Sequence, residues 1–414
     1  MPLFPKQFFA LAWALGAAGC AFPRAGSPAF FEVTVGLDAA DDDIGDGRCR
    51  STLPSGACTL RAALQESNAR TDSNTVRLGR RTHRLTLPDR LAVTHRVRVM
   101  GANTTETVID GMDRGASVFV FDGGLAWVHD LTITRGGGPS EPRGGGISIR
   151  GGATVSLANV VIRDNEAFTG GGGIYVQNGS LILIDSSVSE NRATGAFCGG
   201  IWLEAGTTLT MDRSTIEGNT SNRCGGIYNF GRITVTNSTI SGNSSDSDSR
   251  GTGGIINIGT ARLNNVTIYR NTTNAIVDPE SSGGLLATAA ATTSVSNTII
   301  AGNSDGRAWR DCTGTVTSGG YNLIENAADC RLTGSAAGNI TDRDPQLSPL
   351  ALNFGGPTRS HLPASTSPAI SAGHPQVGPG ITPAGRCEVR DQARRIRQLT
   401  GDGRRCDIGS IEGR

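Results

Sequence analysis

Short glycine runs, each followed by an aliphatic residue, recur along the middle of the chain at nearly constant spacing. The aliphatic positions lie 26 to 30 residues apart and are Ile147, Ile174, Ile201, Ile227, Ile255 and Leu285. Each repeat closes on an asparagine, and these are Asn165, Asn191, Asn219, Asn243, Asn271 and Asn303. Between them lie short alternating segments broken by Gly and Asn turns, without helical periodicity. This pattern predicts an all-β solenoid.

The length of the repeat indicates the kind of solenoid. A coil of about 27 residues accommodates three short strands and three turns. The pattern resembles that of right-handed parallel β-helix proteins, the architecture of pectin-degrading enzymes and of many bacterial surface proteins. We therefore expect a right-handed parallel β-helix over residues 76–340, with about ten coils. The stacked asparagines would then cap turns and would not serve as ligands.

Two cysteines test this register. Cys198 and Cys224 each stand immediately before Gly-Gly-Ile, so they occupy the same position in consecutive coils. Parallel strands stack about 4.8 Å apart, inside the Cα separation that a disulfide accepts. We expect a disulfide here, and the alternative is two stacked thiols.

The other cysteines follow the same logic of neighbouring pairs. The chain has nine cysteines, and setting Cys20 aside leaves an even number. Besides Cys198 and Cys224, the pairs expected from proximity in sequence are Cys49 with Cys58, Cys312 with Cys330, and Cys387 with Cys406. Proximity is only a guide to connectivity, but pairing of this kind favours an oxidising compartment.

Residues 1–20 have the features of an export signal. Lys6 precedes an apolar stretch from Phe8 to Ala18, which is too short to span a bilayer and suits a signal peptide. The stretch runs into Leu-Gly-Ala-Ala-Gly-Cys, ending at Cys20, which resembles the lipobox of bacterial lipoproteins. We expect Cys20 to carry a lipid that anchors the protein to a cell-envelope membrane. The alternative is an ordinary cleaved signal and a secreted protein.

Residues 31–75 are expected to cap the N-terminal end of the solenoid. An amphipathic helix follows Cys58-Thr59, and the sequence from Cys58 to Ala63, with aspartates before it and Asn68 after it, resembles the CSLREA domain of exported bacterial β-helix proteins. The resemblance implies a capping box at the helix start. Thr59 keeps the hydroxyl, but Ala62 replaces the glutamate, which weakens the cap by up to about 1 kcal/mol.

Residues 341–414 resemble the domain called choice-of-anchor Q. The matching stretches occur in order and are Asp344–Leu347, Asn353–Thr358, His361-Leu362, Ser367–Gly373, Asp391-Gln392 and Cys406–Glu412. Ser371 stands where the family usually has Asp, and Ala393-Arg394 where it has Arg-Gly. Members carry varied sorting signals after this domain, so we expect the lipid on Cys20 to be the tether here. The resemblance implies no established chemistry.

Charge and composition exclude several classes of function. The chain has 38 basic and 37 acidic residues, a formal net charge of +1, which gives no basis for nucleic-acid binding. No apolar run is long enough for a polytopic membrane protein. Lys6 is the only lysine and lies in the export signal, so a catalytic lysine is excluded.

Three carboxylates are the candidate catalytic residues. Asp164 and Glu190 each directly precede a closing asparagine and therefore share a register on adjacent coils. Glu217 lies one coil further and is shifted by one residue. Glycoside hydrolysis needs two carboxylates about 5 to 9.5 Å apart, and a lyase needs calcium and a base. Because Arg163 and Arg192 flank them, we favour a solvated turn in which these carboxylates pair with arginine.

An acidic loop, residues 38–46, contains candidate calcium ligands. Asp41, Asp43 and Asp46 offer hard oxygen ligands at short spacing. The twelfth position from Asp41 is Thr52 and not the glutamate of an EF-hand loop. The alternative is a solvated acidic turn.

A basic stretch follows the predicted cap. Seven arginines lie between Arg77 and Arg98. They could contact acidic glycans or lipopolysaccharide, although strand alternation places most of them on the outer face of early strands.

These features predict an exported, lipid-anchored surface or periplasmic protein with a binding, adhesion or scaffold role. Its expected partners are the cell-envelope membrane, through the lipid, and a polysaccharide or another surface protein, but no nucleic acid. We expect no cofactor other than a candidate calcium ion. The competing prediction is a carbohydrate-active enzyme, either a polysaccharide lyase or a glycoside hydrolase acting on an acidic polysaccharide.

Overall fold

A computed structural model of the protein describes residues 28–195, 197–246, 251–274, 281–306, 308–378, 385–397 and 405–413. Cys20 and the predicted export signal lie outside these residues. None of the helices in the described ranges combines the length and the apolar composition needed to cross a membrane.

The chain folds as a parallel β-helix, as the repeat predicts. Strands of successive coils stack in parallel and in register to form three long sheets around one core. The first sheet consists of Phe30–Val33, Asn74–Leu78, Val97–Met100, Leu125–Thr134, Ala153–Arg163, Gly179–Ile184, Thr208–Asp212, Arg232–Ser241, Thr260–Tyr269, Thr292–Ser296, Cys312–Ser318 and Cys330–Gly334.

The second sheet shares the longest strands with the first, because these strands bend from one sheet into the next. Its other strands are Thr82–Arg84, Val108–Asp110, Ser187–Ser189, Thr215–Glu217, Ile299–Ala301, Leu323–Ile324 and Ile340–Thr341. The third sheet consists of Leu91–Val93, Phe119–Asp122, Ile147–Arg150, Ile174–Val176, Ile201–Leu203, Ile227–Asn229, Ile255–Asn257, Leu285–Ala287 and the start of Cys312–Ser318.

Two smaller sheets complete the strands of the described residues. A fourth parallel sheet lies between the second and third sheets and consists of Glu166–Ala167, Arg192–Ala193, Thr220–Ser221, Ser244–Ser245 and Thr272–Thr273. An antiparallel pair near the C-terminus consists of Ala351–Leu352 and Arg359–Ser360.

The third sheet gives the number of complete coils. From Leu91 to Cys312 it passes through about eight turns of about 28 residues each. The expected ten coils exceed this number because shorter, incomplete coils extend the first sheet at both ends. The repeat also begins earlier than its glycine signature, since Leu91 and Phe119 occupy the position of the later isoleucines without a Gly-Gly pair before them.

The interior is a file of aliphatic side chains. Ile147, Ile174, Ile201, Ile227, Ile255 and Leu285 are directly registered and fully buried, as predicted. The glycine before each isoleucine lies against the next coil. At Gly200, for example, a Cβ would approach the Gly226 carbonyl oxygen to 2.4 Å, which explains why glycine recurs there.

The closing asparagines form the predicted capping ladder. In Asn219, the side-chain oxygen accepts from the backbone N–H and the side-chain amide of Asn191, and its own amide donates to Asn243 and to the Val188 carbonyl. The same contacts repeat from Asn165 to Asn303. The ladder ends on Asp311, whose carboxylate accepts from Asn303. These asparagines therefore satisfy turn backbone groups in each coil.

A single helix in the described residues, Leu60–Asn68, packs beside the first strands. The Thr59 hydroxyl accepts from the Ala62 N–H at 3.1 Å and caps the helix start. Arg61 is buried and forms a two-point ion pair with Asp38. Because Phe30–Val33 pairs with Asn74–Leu78, the expected cap and the solenoid share one sheet.

Three of the four expected cysteine pairs are disulfides. They are Cys49–Cys58, Cys312–Cys330 and Cys387–Cys406. Cys198 and Cys224 are directly registered, as predicted, but they are thiols with their sulfurs 3.1 Å apart. The expected fourth disulfide is therefore not formed in this structure. Registered side chains of parallel strands point the same way, which holds their Cβ atoms about 4.8 Å apart, beyond the usual 3.5–4.5 Å of a disulfide.

Candidate active site

The candidate carboxylates lie where the second sheet turns toward the asparagine ladder. The residue before each ladder asparagine has a left-handed backbone conformation, with φ between 54° and 63°. The column contains Asp164, Glu190, Gly218, Gly242, Arg270 and Gly302. Three glycines in six positions show that this column is defined by its backbone conformation. An acidic side chain is therefore not a property of the column, which explains why the acidic run ends after Glu190.

The structure places the three carboxylates on neighbouring coils, as the register predicts. Asp164 is half exposed and pairs with Arg163, with 2.6 Å between Arg163 Nη1 and Asp164 Oδ2. Glu190 is exposed, and its backbone N–H donates to the Glu217 carbonyl oxygen. No ion pair of the Glu190 side chain involves another residue of the described ranges, and Arg192 does not pair with it.

Glu217 is in a different environment from the other two. It is 8% exposed, and its Oε2 lies 3.0 Å from Nη1 of Arg359, in the C-terminal part of the chain. Burial raises the pKa of Glu217, the nearby charge of Glu190 adds to the increase, and Arg359 opposes it. Glu217 thus has an arginine counter-ion that the repeat pattern did not predict.

Arg359 belongs to a longer contact between the C-terminal segment, which we define as residues 341–413, and the outer face of the second sheet. Gln392 lies at its centre. Its amide nitrogen donates to the Thr215 hydroxyl and its amide oxygen accepts from the Thr239 hydroxyl. Arg394 pairs with Asp185 at 2.9 Å. Side chains on three consecutive coils are therefore covered by this segment.

His361 contacts Ser241, which lies two residues after Thr239 in the same strand. Its Nδ1–H donates to the Ser348 carbonyl oxygen, so its Nε2 accepts from the Ser241 hydroxyl at 2.8 Å. The imidazole is 2% exposed and packs edge-on against Tyr269. Burial lowers the pKa of His361 to about 4, and the charges of Arg270 and Arg359 act in the same direction.

Sequence reasoning missed these docking residues, although a signal for them was present. Thr358, His361 and Gln392 stand within the short stretches that carry the resemblance to choice-of-anchor Q. Each makes a hydrogen bond to the solenoid. The stretches could therefore have been interpreted as contact residues, but their partners do not follow from the repeat.

The carboxylates of two of the three predicted calcium ligands, Asp41 and Asp46, accept hydrogen bonds from their own loop. The carboxylate of Asp41 accepts from the backbone N–H groups of Asp43 and Arg50, and that of Asp46 accepts from Arg48. Burial raises the pKa of Asp41. Within the described ranges no group of three or more His, Cys, Asp or Glu side chains has metal-binding geometry. Calcium binding by this loop stays a prediction.

The basic stretch lies on the surface, as alternation predicts. Arg77, Arg84 and Arg98 are exposed, whereas their strand neighbours Val76, His83 and Val99 are buried. Arg98 stacks over Trp127, with its guanidinium carbon 5.9 Å from the ring centre.

Comparison with known proteins identifies the fold. The family model described as "Right handed beta helix region" matches residues 100–273 and 145–341. Among solved structures, the crystal structure of pectate lyase Pel9A is similar, with a TM-score of 0.45 and 13% sequence identity over 94% of this chain and 98% of that chain. No curated protein matches the sequence.

Proposed function

The chain belongs to the right-handed β-helix family, and on that premise we propose that it is an exported, lipid-anchored protein of the cell envelope that binds a polysaccharide or another surface protein without chemical turnover. The observation that carries the non-enzymatic role is the state of the candidate carboxylates. Asp164 is paired with Arg163, and Glu217 is paired with Arg359 beneath the C-terminal segment.

Both enzymatic mechanisms require a different arrangement. A glycosidase places two carboxyl groups on either side of an open substrate cleft. Here Glu217 is paired with Arg359, and Gln392 binds Thr215 in the same strand, so the C-terminal segment occupies the space above this part of the second sheet. A lyase additionally needs calcium and a base, and the described residues near Glu190 do not form a group of metal ligands.

Export is supported by two independent features. The sequence before Cys20 resembles a lipobox, and the structure contains three disulfides. Disulfides persist in oxidising compartments such as the periplasm and the cell surface. The lipid on Cys20 would attach the protein to the membrane and leave the solenoid free to bind.

A carbohydrate-active enzyme is the second candidate, and one observation favours it. The pKa of Glu217 is raised beside the exposed carboxylate of Glu190. A carboxyl group whose pKa is raised by burial is suited to general acid catalysis. The Arg359 ion pair makes this the weaker proposal.

The test uses the full chain and measures its binding to polysaccharides, the release of cleavage products and its distribution between membrane and soluble fractions. Co-sedimentation with insoluble acidic and neutral polysaccharides is expected to show retention without release of reducing ends or unsaturated products. Cys20→Ser is expected to move the protein from the membrane fraction to the soluble fraction. Product release that Glu190→Gln abolishes would reject the binding role, and unchanged fractionation of Cys20→Ser would reject the anchor.

A further inference from the structure

We propose that the outer face of the third sheet around Trp202 is a binding site for an acidic polysaccharide, and that Arg143 and Arg223 contact its anionic groups. This inference rests on the proposed binding function and specifies its ligand. It concerns a different face from the candidate carboxylates, which lie beside the second sheet.

The site is built on an aromatic column. Tyr175, Trp202 and Tyr228 are direct neighbours on adjacent strands, and each stands between two inward-facing residues. Phe197 comes from the turn before the Trp202 strand and stacks on Trp202, with ring centres 4.6 Å apart and planes inclined by 22°. Tyr228 lies 6.0 Å from the same phenylalanine ring. Four aromatic rings therefore form one packed unit across three coils.

Two arginines are held against this unit. The guanidinium carbon of Arg143 lies 5.2 Å from the ring centre of Tyr175 and 4.9 Å from that of Trp202. Its Nη1 also donates to the Tyr175 hydroxyl at 2.8 Å. Arg223 lies 5.9 Å from the ring of Phe197 and 5.5 Å from that of Tyr228. Stacking on aromatic faces restricts both guanidinium groups before any ligand arrives.

Within the part of the chain that the structure describes, no carboxylate directly neutralises the charge of either arginine. Arg61, Arg135 and Arg213 each pair with an aspartate elsewhere in the molecule. For Arg143 and Arg223, no carboxylate of the described residues lies in ion-pair contact. Glu204 is connected to Arg143 only through the Tyr175 hydroxyl, which accepts from Arg143 and donates to the Glu204 carboxylate.

The arrangement of the two cations favours a polymer with repeated charges. Arg143 contacts Tyr175 and Trp202, and Arg223 contacts the ring one coil further, so the two groups are displaced by roughly one strand spacing of about 5 Å along the axis. Their mutual repulsion decreases when anions bind. Guanidinium groups bind oxyanions such as carboxylate at two points. Tyr175, Trp202 and Tyr228 are buried, so the half-buried Phe197 ring and the two arginines are the groups that a sugar would contact first.

A buried donor in the same unit has no partner among the described residues. Trp202 is 4% exposed, and its Nε1–H makes no hydrogen bond to any of them. A buried unpaired N–H is unfavourable until an acceptor reaches it. The half-buried Phe197 ring covers Trp202, so displacement of Phe197 would let a ligand oxygen reach this group.

The experiment measures binding of the full chain to defined polymers by isothermal titration calorimetry. The probes are polygalacturonate for carboxylates, chondroitin sulfate for sulfates, a neutral galactan, and single-stranded DNA as a second polyanion. We expect binding to an acidic glycan, with little affinity for galactan or DNA. Arg143→Gln/Arg223→Gln is expected to weaken this binding at least tenfold and to reduce its salt dependence.

The matched control is Arg232→Gln/Arg262→Gln, which removes the same charge from exposed arginines of the first sheet. It is expected to change the affinity less than threefold. Equal losses in both double variants, equal binding of DNA, or no binding of either acidic glycan would overturn the proposal.

Trp202→Phe keeps an aromatic ring and removes the unpaired donor together with one ring of the indole. We expect weaker binding and a lower melting temperature, because the smaller ring leaves a cavity, so the affinity is measured at a temperature at which circular dichroism shows both proteins to be fully folded. If the double arginine variant does not fold, Trp202→Phe still tests whether the polysaccharide binds at this face. Unchanged affinity in Trp202→Phe would then reject the site. Glycan binding that is independent of Arg143 and Arg223 rejects this site and leaves the proposed function standing, whereas product release rejects the proposed function itself.

Discussion

Glu217 and Arg359 form an ion pair between the second sheet of the solenoid and the C-terminal segment, with Oε2 and Nη1 3.0 Å apart. The pair joins a repeated element to a part of the chain that has no repeat. It also gives a counter-ion to the most buried of the three candidate carboxylates. The first prediction concerns what happens when that counter-ion is removed.

Arg359→Gln is expected to lower the free energy of unfolding by about 1–2 kcal/mol at pH 7. This loss lies between the losses measured when exposed and buried ion pairs are broken, because the Arg359 side chain is 48% exposed and the Glu217 side chain is 11% exposed. Without Arg359 the pKa of Glu217 rises further, so the native state binds its proton more tightly than the unfolded state and stability decreases as the pH rises. Urea unfolding at several pH values measures this. Arg331→Gln, at an exposed arginine, is the control, and an equal loss there would contradict the prediction.

His361 is expected to make the C-terminal segment sensitive to acid. Its folded pKa of about 4 lies below the ordinary 6.5, so between these values the unfolded state binds more protons. The contribution of His361 is therefore complete above about pH 6.5 and is lost as the pH falls toward 4, with a slope of at most about 1.4 kcal/mol per pH unit. The protection factors of residues 345–365, which are hydrogen-exchange rates corrected for the intrinsic rate at each pH, are expected to fall over this range in the wild type.

His361→Gln removes the titrating group from that segment. The fall in protection between pH 6.5 and 4 is then expected to disappear locally, although the overall fold keeps the acid sensitivity of His83, whose pKa burial also lowers to about 4. An identical pH profile in His361→Gln and the wild type would show that His361 does not control docking of this segment.

Asn219 tests the asparagine ladder. Asn219→Ala removes two accepted and two donated hydrogen bonds, so the buried backbone N–H of Asn191 loses its acceptor and the Val188 carbonyl oxygen loses a donor. We expect a loss of about 2–4 kcal/mol, since each buried unsatisfied group costs about 1–3 kcal/mol. Asn222→Ala, at an exposed turn position, is the matched control and is expected to cost less than about 0.5 kcal/mol. Similar midpoints of urea unfolding for the two variants would exclude a stabilising ladder.

Glu190 tests whether its column is defined by backbone conformation. Its φ of 56° lies in the left-handed region, where Gly218, Gly242 and Gly302 also lie. Glu190→Gly is expected to stabilise the protein by up to about 1 kcal/mol, because glycine removes the steric penalty of that conformation. Glu190→Ala keeps the penalty and removes only the carboxylate. If both variants stabilise equally in thermal unfolding, repulsion between Glu190 and Glu217 is the cause and the backbone argument is wrong.

The sequence was sufficient for features that the repeat determines. Residues at equivalent positions of successive coils become contacts, so the file through Ile174 and Ile201, the ladder through Asn191, and the register of Cys198 with Cys224 were all predicted correctly. Leu91 and Phe119 were missed as members of the file because their coils lack the glycine signature.

Features outside the repeat could not be derived in this way. The contacts of Arg359 with Glu217 and of His361 with Ser241 join residues whose spacing in the sequence has no period. The state of Cys198 and Cys224 depends on side-chain direction and not on register, so the register alone led to a disulfide that the structure does not contain. Ion pairing of a candidate carboxylate is decided by such contacts, and the site was therefore only partly predictable.

The proposed non-enzymatic role is tested most directly by measuring catalytic turnover in the wild type, Arg359→Gln and Glu190→Gln. Arg359→Gln removes the counter-ion of Glu217, so any latent pair of Glu190 and Glu217 would be most active in this variant. The measurement follows absorbance of unsaturated products and release of reducing ends from acidic and neutral polysaccharides between pH 4 and 9. We expect all three proteins to give the same background rate. Product formation by the wild type or by Arg359→Gln that is absent in Glu190→Gln would contradict it.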